Sequence, residues 1–194
     1  MKNCIDDGRY GKVLGAFFNR NSAQPLWGWE GWYRDYERCG GAITDIHIHD
    51  IDMVRYLFGE PEAVSCRASD CMTKYDIVQT SLYYGGLPVS ANGCWTAGRI
   101  RFSASYKVDF EKATVIYEGG AVNVYTDENG TPIKPELTGH DGYTGEIAYF
   151  CDIVEGKTKN TRNPASSAAN TVRLVEAMKK SSDMNGEKVS FEAK

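Results

Sequence analysis

Four polar residues, Asp45, His49, Asp52 and Tyr56, recur along this chain at intervals of four, three and four. Those intervals place side chains on one side of a helix, a turn apart. A carboxylate one turn from an imidazole is equipment for moving protons near neutral pH. On that reading His49 is the acid or base, and Asp45 fixes its tautomer and charge. Asp52 sits beside His49 and either tunes it, touches substrate or pairs with Arg55 three residues on. Two other readings stand beside this one. The stripe is also what a solvated helix face looks like. And Asp45-Ile-His47-Ile-His49 has the Asp-x-His-x-His form of some metal-dependent hydrolases. A helix, however, sends His47 and His49 about 200° apart, and His140 is the one further histidine. His47 falls on the apolar side and reads as a core histidine. Asp50 projects the same way and should cap or pair locally. Tyr143, just ahead of a later helix, is a candidate to reach a substrate pocket, with an interfacial tyrosine as its alternative.

The elements that must hold this stripe follow from periodicity and punctuation. A helix is expected from Gly41 to Phe58, closed by Gly59 and Pro61, with Ile43, Ile46, Val54, Leu57 and Phe58 toward a core. Before it come a helix end closed by Gly8, a strand from Gly11 to Arg20, and a loop over 21–38. That loop carries Trp27, Trp29 and Trp32, read as a satellite core, with a pocket wall or docking surface as alternatives. Strands are expected over 63–69, 77–84, 88–95, 102–110, 113–117 and 121–125. Gly85-Gly86 and Gly119-Gly120 mark hairpins, and 127–130 a turn. A helix over about 144–155 carries Ile147, Phe150, Cys151 and Val154 on one side. Another starts at Asn163-Pro164 and carries Ala168, Val172, Val175 and Met178. A short strand, 188–191, closes the chain. This is an α+β layout over a single domain, residues 1–194: one large, mainly antiparallel open sheet with helices on one face.

Composition narrows the function classes. The chain has 194 residues, 42% hydrophobic and 25% charged, with a formal charge of −4. That balance offers no basic field for nucleic acid, and no apolar run approaches the roughly 20 residues of a membrane span. The N-terminus lacks the apolar centre of a signal peptide. Six cysteines without a Cys-x-x-Cys pair read as reduced thiols in a cytoplasmic protein, Cys94 and Cys151 acting as small core hydrophobes. No Gly-x-Gly-x-x-Gly stands at a strand-to-helix turn, so no nucleotide or other cofactor is expected to bind this chain alone.

The segment Gly40-Gly-Ala-Ile-Thr-Asp45-Ile-His-Ile-His49-Asp-Ile-Asp52, followed by an apolar helix and Gly59-Glu-Pro61, resembles the signature segment of the Gfo/Idh/MocA oxidoreductases. Ile5 to Val13 resembles the entry into that family's second domain, and Asn19-Arg-Asn-Ser22 resembles the end of its first strand. Tyr149 to Gly156 and Ala177 to Val189 resemble its closing helices. The resemblance implies a C-terminal domain that carries a sugar or polyol, while a separate Rossmann domain holds NAD or NADP. It implies Asp45 and His49 as the catalytic pair, joined by a lysine from the other domain. It implies substrate contacts at Asn19 and Asn21, although a His often stands where Asn19 does. It also implies homo-oligomers formed through the open sheet face. The nucleotide-binding half is missing, as is the segment supplying the lysine. The sequence fits an excised domain, a reduced gene or one product of a split gene. Three functions therefore compete: the substrate half of a dehydrogenase, inactive alone; a stand-alone oligomerising or carbohydrate-binding module; and, behind both, a metal hydrolase.

Overall fold

The computed structural model describes residues 1–126, 130–136 and 141–194. The expected turn at 127–130 lies partly, and His140 wholly, outside those residues. Helix α1 (Lys2–Asp6) leads into β1 (Val13–Ala23), and a 3-10 segment (Trp29–Arg34) leads into α2 (Tyr36–Cys39), α3 (Gly41–Asp45) and α4 (His47–Phe58). Six strands follow: β2 (Ala63–Ser69), β3 (Ile77–Tyr84), β4 (Leu87–Thr96), β5 (Ser103–Phe110), β6 (Ala113–Glu118) and β7 (Ala121–Thr126). Helices α5 (Gly142–Val154) and α6 (Ala165–Asp183) and a two-residue β8 (Val189–Ser190) complete the chain. Among the described residues, no helix is long and apolar enough to cross a membrane.

All eight strands form one sheet in the order β7-β6-β5-β1-β4-β3-β2-β8. The fold class is as expected, α+β with a mostly antiparallel open sheet. One pairing departs from the local pattern. β1 inserts between β4 and β5, parallel to the first and antiparallel to the second. Parallel pairing needs a long crossover, and the stretch from the 3-10 segment through β3 supplies it.

Alternation sorts each strand into two faces. Ala16 and Phe18 of β1, Val89 and Ala91 of β4, and Val78 and Leu82 of β3 are buried. They meet Ile43, Ile51 and Val54 from α3 and α4, and Leu174, Val175 and Met178 from α6. Fully burying a side chain such as Leu174 contributes roughly 1.5–3 kcal/mol. The other face carries Asn19, Asn21, Gln79, Ser81, Ser90 and Asn92. Trp95 belongs to the helix side and is fully buried, so the open face is more polar than its β-rich sequence suggests.

Several expectations are corrected. The expected helix over 41–58 is two helices, offset at Ile46 (φ −106°, ψ −37°). The three loop tryptophans are no satellite core: Trp27 is 79% and Trp29 75% exposed. Cys151 is exposed and Cys94 half-exposed, while Cys39 and Cys66 are the buried thiols; all six cysteines are free. Helix α5 forms but buries none of its residues, leaving Ile147, Phe150 and Val154 in solvent.

The paired glycines before the stripe have a mechanical reason. Gly40 and Gly41 both hold φ near +75° (75° and 73°), a region that costs an L-residue roughly 1–2 kcal/mol. A Cβ at Gly41 would also lie 2.0 Å from the Lys74 carbonyl oxygen. Gly41→Ala is therefore expected to cost about 2–4 kcal/mol in urea denaturation. A change within about 0.5 kcal/mol, as at an unconstrained surface position, would contradict this packing.

Candidate functional site

Helix α4 is fixed by the side chains it sends into the protein. Asp50 is fully buried, and Arg20 of β1 reaches it from the sheet. Arg20 Nη2 donates to Asp50 Oδ1 at 2.8 Å and Nε to the same oxygen at 3.1 Å. Nη2 also donates to the Tyr106 hydroxyl of β5 at 2.6 Å. Burial pushes the Asp50 carboxyl up, and the hydrogen bond and charge of Arg20 pull it back only in part.

His47, one turn earlier, enters the core beside this pair. Its Nε2 lies 3.0 Å from Thr80 Oγ1. Gly93 of β4 makes room for the ring, since a Cβ there would sit 2.7 Å from Nδ1. Burial, with a smaller contribution from the Arg20 charge, lowers His47 to about 3. The core-histidine reading holds geometrically, and His47 and His49 do not converge. Among the described residues, no three His, Cys, Asp or Glu side chains are placed to hold a metal ion.

With positions 47 and 50 turned inward, the rotation of the helix turns 49, 52 and 56 outward. His49 and Tyr56 are exposed, and Asp45 and Asp52 are half-buried. Despite the offset at Ile46, Ile46 N–H still bonds the Ala42 carbonyl at 3.1 Å, so the path stays helical. Burial raises the Asp45 carboxyl, and the neighbouring His49 opposes that rise. Asp45 thus feels the charge of His49, as Asp50 does from the inward side. A cavity of about 280 Å³ opens beside His49, walled by Asp52, Met53, Tyr56, Arg162 and Ser167.

Asp52 does more than face that cavity. Thr171 Oγ1 of α6 donates to its Oδ1 at 2.6 Å, and Arg55 Nη1 stands 3.5 Å away. Arg55 is buried and donates to Glu60 Oε2 at 2.8 Å and to the Ser167 carbonyl at 2.9 Å. This network ties α4 to the first turns of α6 and forms the cavity floor.

Asn19 and Asn21 are not brought to His49. Strand alternation sends Arg20 toward α4 and its two neighbours to the open face. There Asn92 Nδ2 donates to Asn19 Oδ1 at 2.9 Å, and Cys94 Sγ lies 3.0 Å from Asn21 Oδ1. Tyr143 is 81% exposed in the first turn of α5 and does not line the His49 cavity. Sequence reasoning missed Arg20, and the signal was available. Ala16, Phe18 and Arg20 share a period of two, so an arginine on that face needs an acid opposite it.

Among the described residues there is no fit to a dinucleotide: the one parallel strand pair found there is joined by a crossover through several helices and two further strands, without a glycine-rich phosphate turn at a strand-to-helix junction.

Comparison with known proteins agrees with this geometry. The family model described as GFO/IDH/MocA C-terminal domain matches residues 1–116. An inositol 2-dehydrogenase from Rhizobium meliloti is 33% identical over 155 residues, spanning 74% of this chain and 42% of that protein. An aldose-aldose oxidoreductase from Caulobacter crescentus, solved with glycerol, superposes with a TM-score of 0.82 at 17% identity, over 97% of this chain and 58% of its own. A levoglucosan dehydrogenase solved with NADH and L-sorbose gives 0.79 at 16% identity, over 98% and 61%. The chain thus spans about two fifths of the curated relative and about three fifths of the solved ones.

Two stability measurements test the inward side of α4. Arg20→Met leaves Asp50 buried without its partner and is expected to cost about 3–5 kcal/mol. His47 titrates lower when folded (about 3) than when unfolded (6.5), so below pH 6.5 the unfolded chain takes up a proton that the folded chain refuses. Stability should therefore fall by about 1.4 kcal/mol per pH unit between those two values, relative to a His47→Gln variant. Parallel pH profiles for wild type and variant would contradict the buried neutral imidazole.

Proposed function

Because this chain belongs to the GFO/IDH/MocA C-terminal domain family, we propose that it is the substrate-binding and catalytic half of an NAD(P)-dependent oxidoreductase acting on a CH–OH group of a sugar or polyol. The observation that carries this reading is the exposed His49 at the edge of a cavity, with the half-buried Asp45 one helical turn before it. The curated relative acts, by its name, on inositol, and two solved relatives hold glycerol or L-sorbose.

In this reading His49 accepts the proton of the substrate hydroxyl. Asp45, whose carboxylate is partly desolvated, orients the imidazole and stabilises the imidazolium that forms. NAD or NADP supplies hydride acceptance when bound, held by a part of the enzyme other than these residues. Asp52, Tyr56 and Arg162 offer hydrogen bonds to further hydroxyls in the cavity. Tyr143 could contribute only if α5 closes on the site. Asn19 and Asn21 belong with the open sheet face, through which copies of the chain associate in this reading. The free cysteines fit a cytoplasmic setting.

On this proposal the chain alone gives no NAD(P)H from a polyol panel. Assayed with the family's nucleotide-binding domain, in one polypeptide or in trans, His49→Ala lowers kcat by about 10²–10⁴ and Asp45→Asn by less. Full turnover by His49→Ala in that assay would refute the assignment.

A further inference from the structure

The segment between β1 and α2 holds an aromatic edge that the proton-transfer site does not use. Trp29 and Trp32 are engaged by Arg38, whose guanidinium lies 5.9 Å and 4.8 Å from their ring centroids. Trp27 is different. Its ring meets Tyr33 edge-on at 5.0 Å, and Tyr33 meets the buried Trp95 edge-on at 5.7 Å, so a chain of rings anchors it to the core. Yet Trp27 is the most exposed of the four tryptophans. Gln24 Nε2 donates to the Tyr33 carbonyl at 2.9 Å and fixes the segment's path.

An open groove of about 450 Å³ runs along Trp27, walled by Ser22, Gln24, Pro25, Leu26 and Arg99. Gln24 is 5% exposed, and its Oε1 is buried without a partner among the described residues. A buried amide oxygen without a donor costs free energy unless something supplies one. Arg99 adds a guanidinium that forms no ion pair among the described residues. An exposed indole beside a free multiple donor matches an amphipathic ligand, apolar on its face and hydroxylated at its rim. That is the chemistry of a six-membered polyhydroxylated ring. The groove lies near Asp45, since Tyr33, which holds Trp27, packs on the same buried cluster as Ile46.

We propose that this groove is a ring-binding subsite, in which Trp27 stacks on the apolar face of a pyranose or cyclitol while Arg99 binds its hydroxyls. The proposal deepens the sugar or polyol reading above and rests on it for substrate class. It also separates ring compounds from open-chain polyols, which lack a flat apolar face.

The test uses the full chain with labelled tryptophan indoles, giving four N–H signals, one per tryptophan. Methyl β-glucopyranoside and myo-inositol are titrated against sorbitol. The expected result is a saturable shift of the Trp27 signal by a ring compound, with sorbitol about tenfold weaker. Ligand-observed binding should then weaken about tenfold in Trp27→Ala and measurably in Arg99→Met; both positions are exposed, so both variants fold. No saturable Trp27 shift up to about 100 mM ligand, equal response to sorbitol, or unchanged binding in Trp27→Ala would overturn the subsite. So would a Trp27 signal that responds to protein concentration alone, which would mark a contact between copies. If ring compounds shift the His49 imidazole while Trp27 stays silent, the subsite fails and the dehydrogenase reading stands. If Trp27 responds and His49 does not, the subsite stands, and the dehydrogenase reading is decided by the His49→Ala turnover assay.

Discussion

The buried pair between Arg20 and Asp50 decides which way helix α4 faces. A carboxylate with no solvent exposure tolerates ionisation only beside a partner, and that partner sits on the central strand β1. Asp50 must therefore point at the sheet. His47, three residues earlier, points with it and fills the space left by Gly93. Ile51, Val54 and Leu57 follow them inward, while positions 49, 52 and 56 turn the other way. His49 reaches solvent because its neighbours are held in, and Asp45, Asp52 and Tyr56 follow by helical rotation. The candidate chemistry on the outer side is a geometric consequence of the ion pair on the inner side.

Much of this was legible in residue order, where local periodicity governs. Strands β2 and β3 fall at their expected bounds, and α6 starts just after Pro164, because alternation and helix-start chemistry are local signals. The outward stripe and the inward His47 follow from one helical period. What escaped depends on non-local contacts. The parallel pairing of β1 with β4 joins residues some seventy positions apart and leaves no mark on either strand alone. The apolar stripe of α5 announces a buried helix, yet nothing in the described chain covers it. Cys94 lies in an apolar run, but its pleat position sends it to the open face. Arg20 was hidden by attention to Asn19 and Asn21, although its parity with Phe18 places it inward.

The two faces of the sheet divide the labour. The helix side holds the core, the ion pair and the candidate stripe of Asp45, His49, Asp52 and Tyr56. The open side carries amides and hydroxyls, including the Asn19–Asn92 bond, beside the exposed Phe17 and Ile77. Relatives that superpose on nearly the whole of this chain have about two fifths of their own length outside the match. The exposed flank of α5 and the open His49 cavity are surfaces that a larger enzyme has reason to cover.

Site-resolved carbethoxylation by diethyl pyrocarbonate, read by mass spectrometry, tests the orientation of α4 directly. His49 should be modified readily in the native chain while His47 stays protected, and Arg20→Met should weaken that protection. Modification of His47 as fast as His49 in the native fold would contradict an inward imidazole and, with it, the outward-facing His49 on which the proposed function rests.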